Sequence, residues 1–189
     1  MFTKMSGEKV KKEFVEKVKV PEGVTVEVSP TSIKVRGKKG DIEKVYPYKN
    51  LTIKFENGEI VLTSKKNTQR EYKLIKTYTA HLKNMIKGVQ EGYTYKLKIC
   101  SSHFPMKVKL SGRTLKIENF LGEHNPRLVT IKEGANVKID GVYIIVESHD
   151  KELAGQVAAD IEQSTRLTNK DRRIFQDGIF IVEKAGKPI

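Results

Sequence analysis

The chain has 189 residues, 38% of them hydrophobic, which suits one core or two small ones and argues against wholesale disorder. Lys and Arg number 36 against 23 acids, a formal net charge of +13, so the surface is either merely solvated or made for an anionic partner such as a polyphosphate or a charged membrane surface. The single cysteine, Cys100, excludes an intrachain disulfide, and no apolar run approaches the ~20 residues of a membrane-spanning helix.

Residues 1–20 read as a charged lead-in, too charged for a signal peptide, so the protein is expected in the cytoplasm. Residues 24–37 alternate apolar with polar, break at Ser29-Pro30, then alternate again, which predicts a hairpin with one buried face. Gly37-Lys38-Lys39-Gly40 follows as a basic hairpin tip. It lacks the spacing of a phosphate-binding loop and joins two strands rather than a strand and a helix, so Lys38 and Lys39 either enter between RNA phosphates or form a solvated turn. A second hairpin places Ile53 to Glu56 and Ile60 to Ser64 around Asn57-Gly58. Tyr72, Ile75, Thr79, Leu82 and Ile86 fall at steps of three and four, one face of a helix capped by Asn67 and ended by Gly88. A strand from Tyr93 to Ser101 comes next.

The pattern is then written again. Residues 106–119 lie over residues 24–37 without a gap at an offset of 82, with Val108 on Val26, Leu115 on Ile33, Lys116 on Lys34 and Ile117 on Val35. Val137 to Asp140 and Ile144 to Ser148 repeat the second hairpin at an offset of 84, with Asp140-Gly141 at its turn. Leu153, Val157 and Ile161 share a helical face, Ala154, Ala158 and Ala159 favour helix, and Asp150 suits the N-cap. A strand from Ile179 to Glu183 closes the copy. The expectation is an α+β protein of two tandem, internally duplicated domains, each an antiparallel sheet packed against one helix. Their expected bounds are residues 21–101 and 102–184, with residues 185–189 as a frayed tail.

No catalytic residue, metal, cofactor or small-molecule substrate is expected. His81, His103, His124 and His149 lack metal-ligand spacing. Cys100 reads as a small buried hydrophobe, and His103, three residues on near a strand end, is badly placed as its base. Glu118, Glu123, Asp140 and Glu147 sit on hairpins beside lysines, the pattern of surface ion pairs.

Residues 164–178 stand apart. Arg166, Lys170, Arg172 and Arg173 crowd together, relieved only by Asp171, and Thr168, Asn169 and Gln176 add hydrogen-bonding groups. Guanidinium forks suit phosphate oxygens, and Phe175 could stack on a base or pack into the core. Yet residues 1–100 carry 22 basic and 11 acidic residues, and residues 101–189 carry 14 and 12. Bulk charge favours a contact through the first half, arginine density one through the second.

These residues resemble a known family. Asn84-Met85-Ile86-Lys87-Gly88-Val89-Gln90-Glu91-Gly92 is similar to the signature closing the first helix of large-subunit ribosomal protein L six, called L nine in eukaryotes. Ser102-His103-Phe104-Pro105 resembles that family's domain junction. The run Thr168 to Ile179 resembles the C-terminal signature of its archaeal and eukaryotic branch. The resemblance implies a structural constituent of the large subunit that binds 23S-type rRNA near the base of the stalk recruiting translational GTPases, among neighbouring ribosomal proteins. By position, Arg166, Asn169, Lys170, Arg172, Arg173 and Gln176 become contact candidates, with Ser102 and His103 at the junction. Arg113 and Arg127 are added on charge alone. The uneven charge implies that the first domain carries further phosphate contact, or meets other rRNA or a neighbouring protein. The alternative is a cytosolic protein–protein scaffold whose charge serves only solubility.

Overall fold

Alternating apolar positions become hairpins at matching places in the two halves. In the computed structural model, which describes residues 14–29, 31–46, 51–64, 66 and 68–189, the first half begins with strand β1 (Val15–Lys19). It continues through β2 (Thr25–Val28), β3 (Ser32–Gly37), β4 (Gly40–Val45), β5 (Leu51–Glu56), β6 (Glu59–Ser64) and helix α1 (Gln69–Gln90). The second comprises β7 (Tyr93–Cys100), β8 (Lys107–Ser111), β9 (Thr114–Glu118), a short helical turn, β10 (Arg127–Thr130), β11 (Ala135–Asp140), β12 (Tyr143–Ser148), helix α2 (Lys151–Ser164), β13 (Gly178–Lys184) and β14 (Lys187–Pro188). The bounds of β5 and β6 fall on those of β11 and β12 at the offset of 84, as the sequence predicts.

Each half divides its strands between two sheets. The first has β2-β3-β4 and β1-β6-β5; the second has β10-β9-β8 and β11-β12-β7-β13-β14. All the strand pairs are antiparallel, and a helix covers both sheets of its half. Ile33 and Val35 on β3, Ile60 and Leu62 on β6, and Ile75, Leu82 and Val89 on α1 fill the first core. Leu115 and Ile117, Ile144 and Val146, and Val157 and Ile161 take the corresponding places in the second. Along β3, β6, β9 and β12 the buried residues fall at every second position, so the strand side of both cores follows from the period-two pattern.

Several local expectations are corrected. Asn67 lies outside the described residues, and Thr68 holds the N-cap position of α1 in an extended conformation without a capping side-chain bond. Tyr72 is 45% exposed, its ring against Phe14 rather than in the core. Gly88 does not end α1. The helix runs to Gln90, and Gly92, at φ +79°, makes the left-handed exit. Gly88 has no side chain because a Cβ there would overlap the carbonyl oxygen of His149, where the two halves meet. Asp140 is the last residue of β11, so the turn is Gly141-Val142, with positive φ at the glycine alone. Asp150 caps α2, its side chain accepting the Glu152 amide at 2.9 Å.

The strand Tyr93–Cys100, expected with the first repeat, pairs on both edges with second-half strands, β12 and β13. Residues 15–19 of the expected lead-in form β1, paired with β6. The expected frayed tail folds back through Ala185 and Gly186, both at positive φ, so that β14 pairs with β13 and the Ile189 amide donates to the Val182 carbonyl at 3.1 Å.

The halves also meet through charge. Glu152 of α2 takes Lys44 from β4 and, at 2.8 Å, His81 from α1. Burial alone would raise the Glu152 pKa, but Lys44 and His81 outweigh it and hold the carboxyl below its usual range.

Candidate nucleic-acid interface

The arginine-rich loop, residues 165–177, leaves α2 and enters β13. Thr165, buried at its start, donates from Oγ1 to the Glu162 carbonyl at 3.0 Å and accepts the Ile179 amide at 3.0 Å, so one hydroxyl joins the helix end to the next strand. Glu162 accepts the Ile181 amide at 3.0 Å, beside a register shift in β13.

The other end is fixed by Asp177, only 3% exposed. Its carboxylate accepts the Ser102 amide at 2.8 Å, the Ser102 hydroxyl at 2.5 Å and the His103 amide at 3.1 Å, with His103 Nδ1 at 3.2 Å. Burial pushes the Asp177 pKa up, yet these bonds favour the anion more strongly and hold it well below the usual carboxylate range. Ser102 and His103 are therefore spent largely on anchoring the loop to the junction. The His103 ring stacks on Phe175 with centroids 5.2 Å apart, and Lys170 Nζ lies 4.9 Å from the Phe175 ring centre. Phe175 thus already carries a ring and a cation, so a base could reach that stack only by displacing one of them.

Within the loop, Asp171 accepts hydrogen bonds from the Arg173 amide at 2.9 Å and from Arg173 Nη2 at 2.8 Å. The Arg173 guanidinium holds the Asp171 carboxyl below its ordinary pKa. Gln176 donates to the Arg173 carbonyl at 3.3 Å, and Asn169 adopts φ +59°, a conformation asparagine tolerates. Arg166 and Arg172 are exposed and form no ion pair among the described residues. Both line an open groove of about 1130 Å³ together with Lys98, Phe175, Gln176 and Phe180. That groove offers free guanidinium forks on a fixed frame, the arrangement that grips phosphate oxygens in pairs.

The candidates added on charge behave differently. Arg127 donates to both Glu123 oxygens at 2.8 and 2.6 Å and to the Ser164 carbonyl at 2.7 Å, and lies 4.3 Å over the Phe120 ring. It braces the loop's root from within the fold. Arg113 is paired with Glu133. Lys38 and Lys39 lie away from this groove, at the β3–β4 tip, where the Lys39 amide donates to the Val89 carbonyl at 3.0 Å and satisfies an otherwise unpaired acceptor at the end of α1. Both lysine side chains remain exposed.

Sequence reasoning missed Asp177 and Thr165. Neither belongs to a charge cluster, and their roles depend on partners 75 and 14 residues away. Among the described residues no group of three or more His, Cys, Asp or Glu is placed to hold a metal ion, and no helix is long and apolar enough to cross a membrane.

Comparison with known proteins bears on this arrangement. The family model described as Ribosomal protein L6 matches residues 20–92 and again residues 104–178, one match on each half. The chain is 44% identical over 172 residues to large ribosomal subunit protein uL6 of Methanococcus vannielii, covering 91% of this chain and 94% of that protein. It is 42% identical over 174 residues to the uL6 protein of Methanosarcina mazei, covering 92% and 99%. That family is structural rather than enzymatic. With the matched segments falling on both copies of the duplicated α+β unit, the chain belongs to the Ribosomal protein L6 family.

Proposed function

We propose that this protein is a structural constituent of the large ribosomal subunit, acting in the cytoplasm, and that it binds 23S-type rRNA through the loop of residues 165–177. The observation that carries the reading is the pair of free guanidiniums, Arg166 and Arg172, on a loop tied down at both ends by Thr165 and Asp177. Lys170, Asn169 and Gln176 flank them, and Arg173 joins the contact by exchanging Asp171 for phosphate. Ser102 and His103 act by holding the loop, and Arg127 by bracing its root. Arg113 at its hairpin turn, and Lys38 and Lys39 at theirs, are peripheral contacts. The site lies near the base of the stalk that recruits translational GTPases, beside other ribosomal proteins. Phosphate contacts fix the position of the RNA, and its shape and 2′-hydroxyls supply selectivity.

The test is binding of the full chain to a large-subunit rRNA transcript across a salt series. Arg166→Ala with Arg172→Ala should weaken binding about tenfold and flatten the salt slope by about one to two, with the melting temperature unchanged. Wild-type affinity and slope in that variant would defeat the assignment.

A further inference from the structure

The two helices provide an internal control on surface charge. They occupy equivalent places in the duplicated fold, each pressing one face on both sheets of its half. Their outer faces have nevertheless diverged. Helix α1 carries five basic residues, Arg70, Lys73, Lys76, Lys83 and Lys87, against one acid, Glu71, which is buried. Helix α2 carries one basic residue, Lys151, against three acids, Glu152, Asp160 and Glu162. Those acids all work inside this molecule: Glu152 on Lys44 and His81, Asp160 on Lys132, and Glu162 on the Ile181 amide. The cations of α1 have fewer such duties. Lys76 pairs with Glu16 and Lys87 with Glu91, while Arg70, Lys73 and Lys83 form no ion pair among the described residues.

We infer that the exposed face of α1 is a second docking surface for the phosphodiester backbone of RNA, separate from the loop of residues 165–177. Lys73, Lys76, Ala80, Lys83 and Lys87 recur at steps of three, four, three and four, and all are exposed. They form one straight stripe, and Arg70 extends the basic surface to about 25 Å at the helical rise. Like charges at this spacing destabilise the helix, and α2 shows that the fold itself does not require them. A polyanion laid along the stripe turns that repulsion into attraction and gains released counterions. The stripe is poor in groups that read base edges, so the contact is with backbone and tolerant of sequence. This surface supplies part of the excess charge of the first half, which the arginine loop of the second leaves unexplained.

The proposal rests on the chain being an rRNA binder, and the test separates the two ideas. The full chain carrying Arg70→Gln, Lys73→Gln, Lys83→Gln and Lys87→Gln is titrated with a large-subunit rRNA transcript over a salt series, beside wild type and the Arg166→Ala, Arg172→Ala variant. Glutamine keeps helix propensity, and circular dichroism melting checks the fold. The four-site variant should lose about three from its salt slope and at least tenfold in affinity at low salt. Arginine at the three lysine positions should retain both. If the four-site variant binds as wild type does while the loop variant is weakened, this inference falls and the loop assignment stands. Loss of an acidic protein partner with RNA binding intact would overturn it equally. If wild type ignores rRNA altogether, both readings fall.

Discussion

Strands β1 and β7 hold the same place in the two halves, beside β6 and β12. Only β7 is paired on its other edge, by β13; among the described residues β1 has no second strand partner. The connections that follow the helices differ to match. Helix α1 reaches β7 through Glu91 and Gly92 alone, whereas α2 reaches β13 through the thirteen residues 165–177. A tight exit in the first copy sends the chain into the other half's sheet. A long exit in the second makes room for a surface loop and then returns to the same sheet. The candidate RNA site is thus an elaboration at one connection of a duplicated scaffold, where loops commonly carry function.

The tight exit is the place where the comparison is most easily broken. Gly88→Ala puts a methyl group into the His149 carbonyl, and backbone cannot swing aside as a side chain does. We expect a loss of about 3 kcal/mol or more in urea unfolding. A variant as stable as wild type would mean that the halves do not meet at this point.

The long exit should be next in sensitivity. Asp177→Asn keeps the shape but removes the charge that Ser102 and His103 address, and should cost about 2–3 kcal/mol at neutral pH. The sign with pH follows from the direction of the shift. The folded carboxyl titrates below its unfolded value, so its contribution is fully present above the ordinary carboxylate range and is lost as pH falls toward the folded value. The gap between wild type and variant should therefore hold from about pH 5 to 7 and narrow below about pH 4. A constant gap into acid would show that Asp177 acts by shape alone. Arg127→Met should cost less, about 1–2 kcal/mol by thermal melting, since the aliphatic stem still covers Phe120 while the bonds to Glu123 and Ser164 go. An unchanged melting temperature would return Arg127 to the list of free RNA contacts.

Much of this scaffold was legible in the amino-acid order because its information is local. Ile33 and Val35, Leu115 and Ile117, and the paired hairpins declare themselves by period two and by repetition at fixed offsets. The arginine cluster was legible for the same reason. What escaped were choices made between distant segments. Tyr93–Cys100 reads as a strand in any context, but its partners are decided by two sheets competing for it. Gly88 near a helix end reads as a terminator until His149 is brought against it. Arg127 looks like a free cation until Glu123, Ser164 and Phe120 surround it.

The smallest expected effect tests whether equivalent positions are interchangeable. Arg36 and Glu27 bridge β3 and β2 at 3.4 Å, and Glu118 and Lys109 bridge β9 and β8 at 3.1 Å, at the same offset of 82 with the signs reversed. Glu118 has a second cation, Lys116 at 2.8 Å, and its pKa is lowered to about 2 by hydrogen bonds from Lys116 and Lys109. The equivalent of Lys116 in the first half is Lys34, now turned to Asp41 at 3.2 Å. Glu27→Lys alone sets two cations side by side and should cost about 0.5 kcal/mol at low salt. Adding Arg36→Glu should recover part of the lost melting temperature, because an acid at that position meets the new lysine and Lys34, although Asp41 faces it from β4. The coupling from the double-mutant cycle should shrink in 1 M salt, as expected for exposed charges. A double variant no more stable than the single one would mean that the two hairpins share a backbone but not an electrostatic environment.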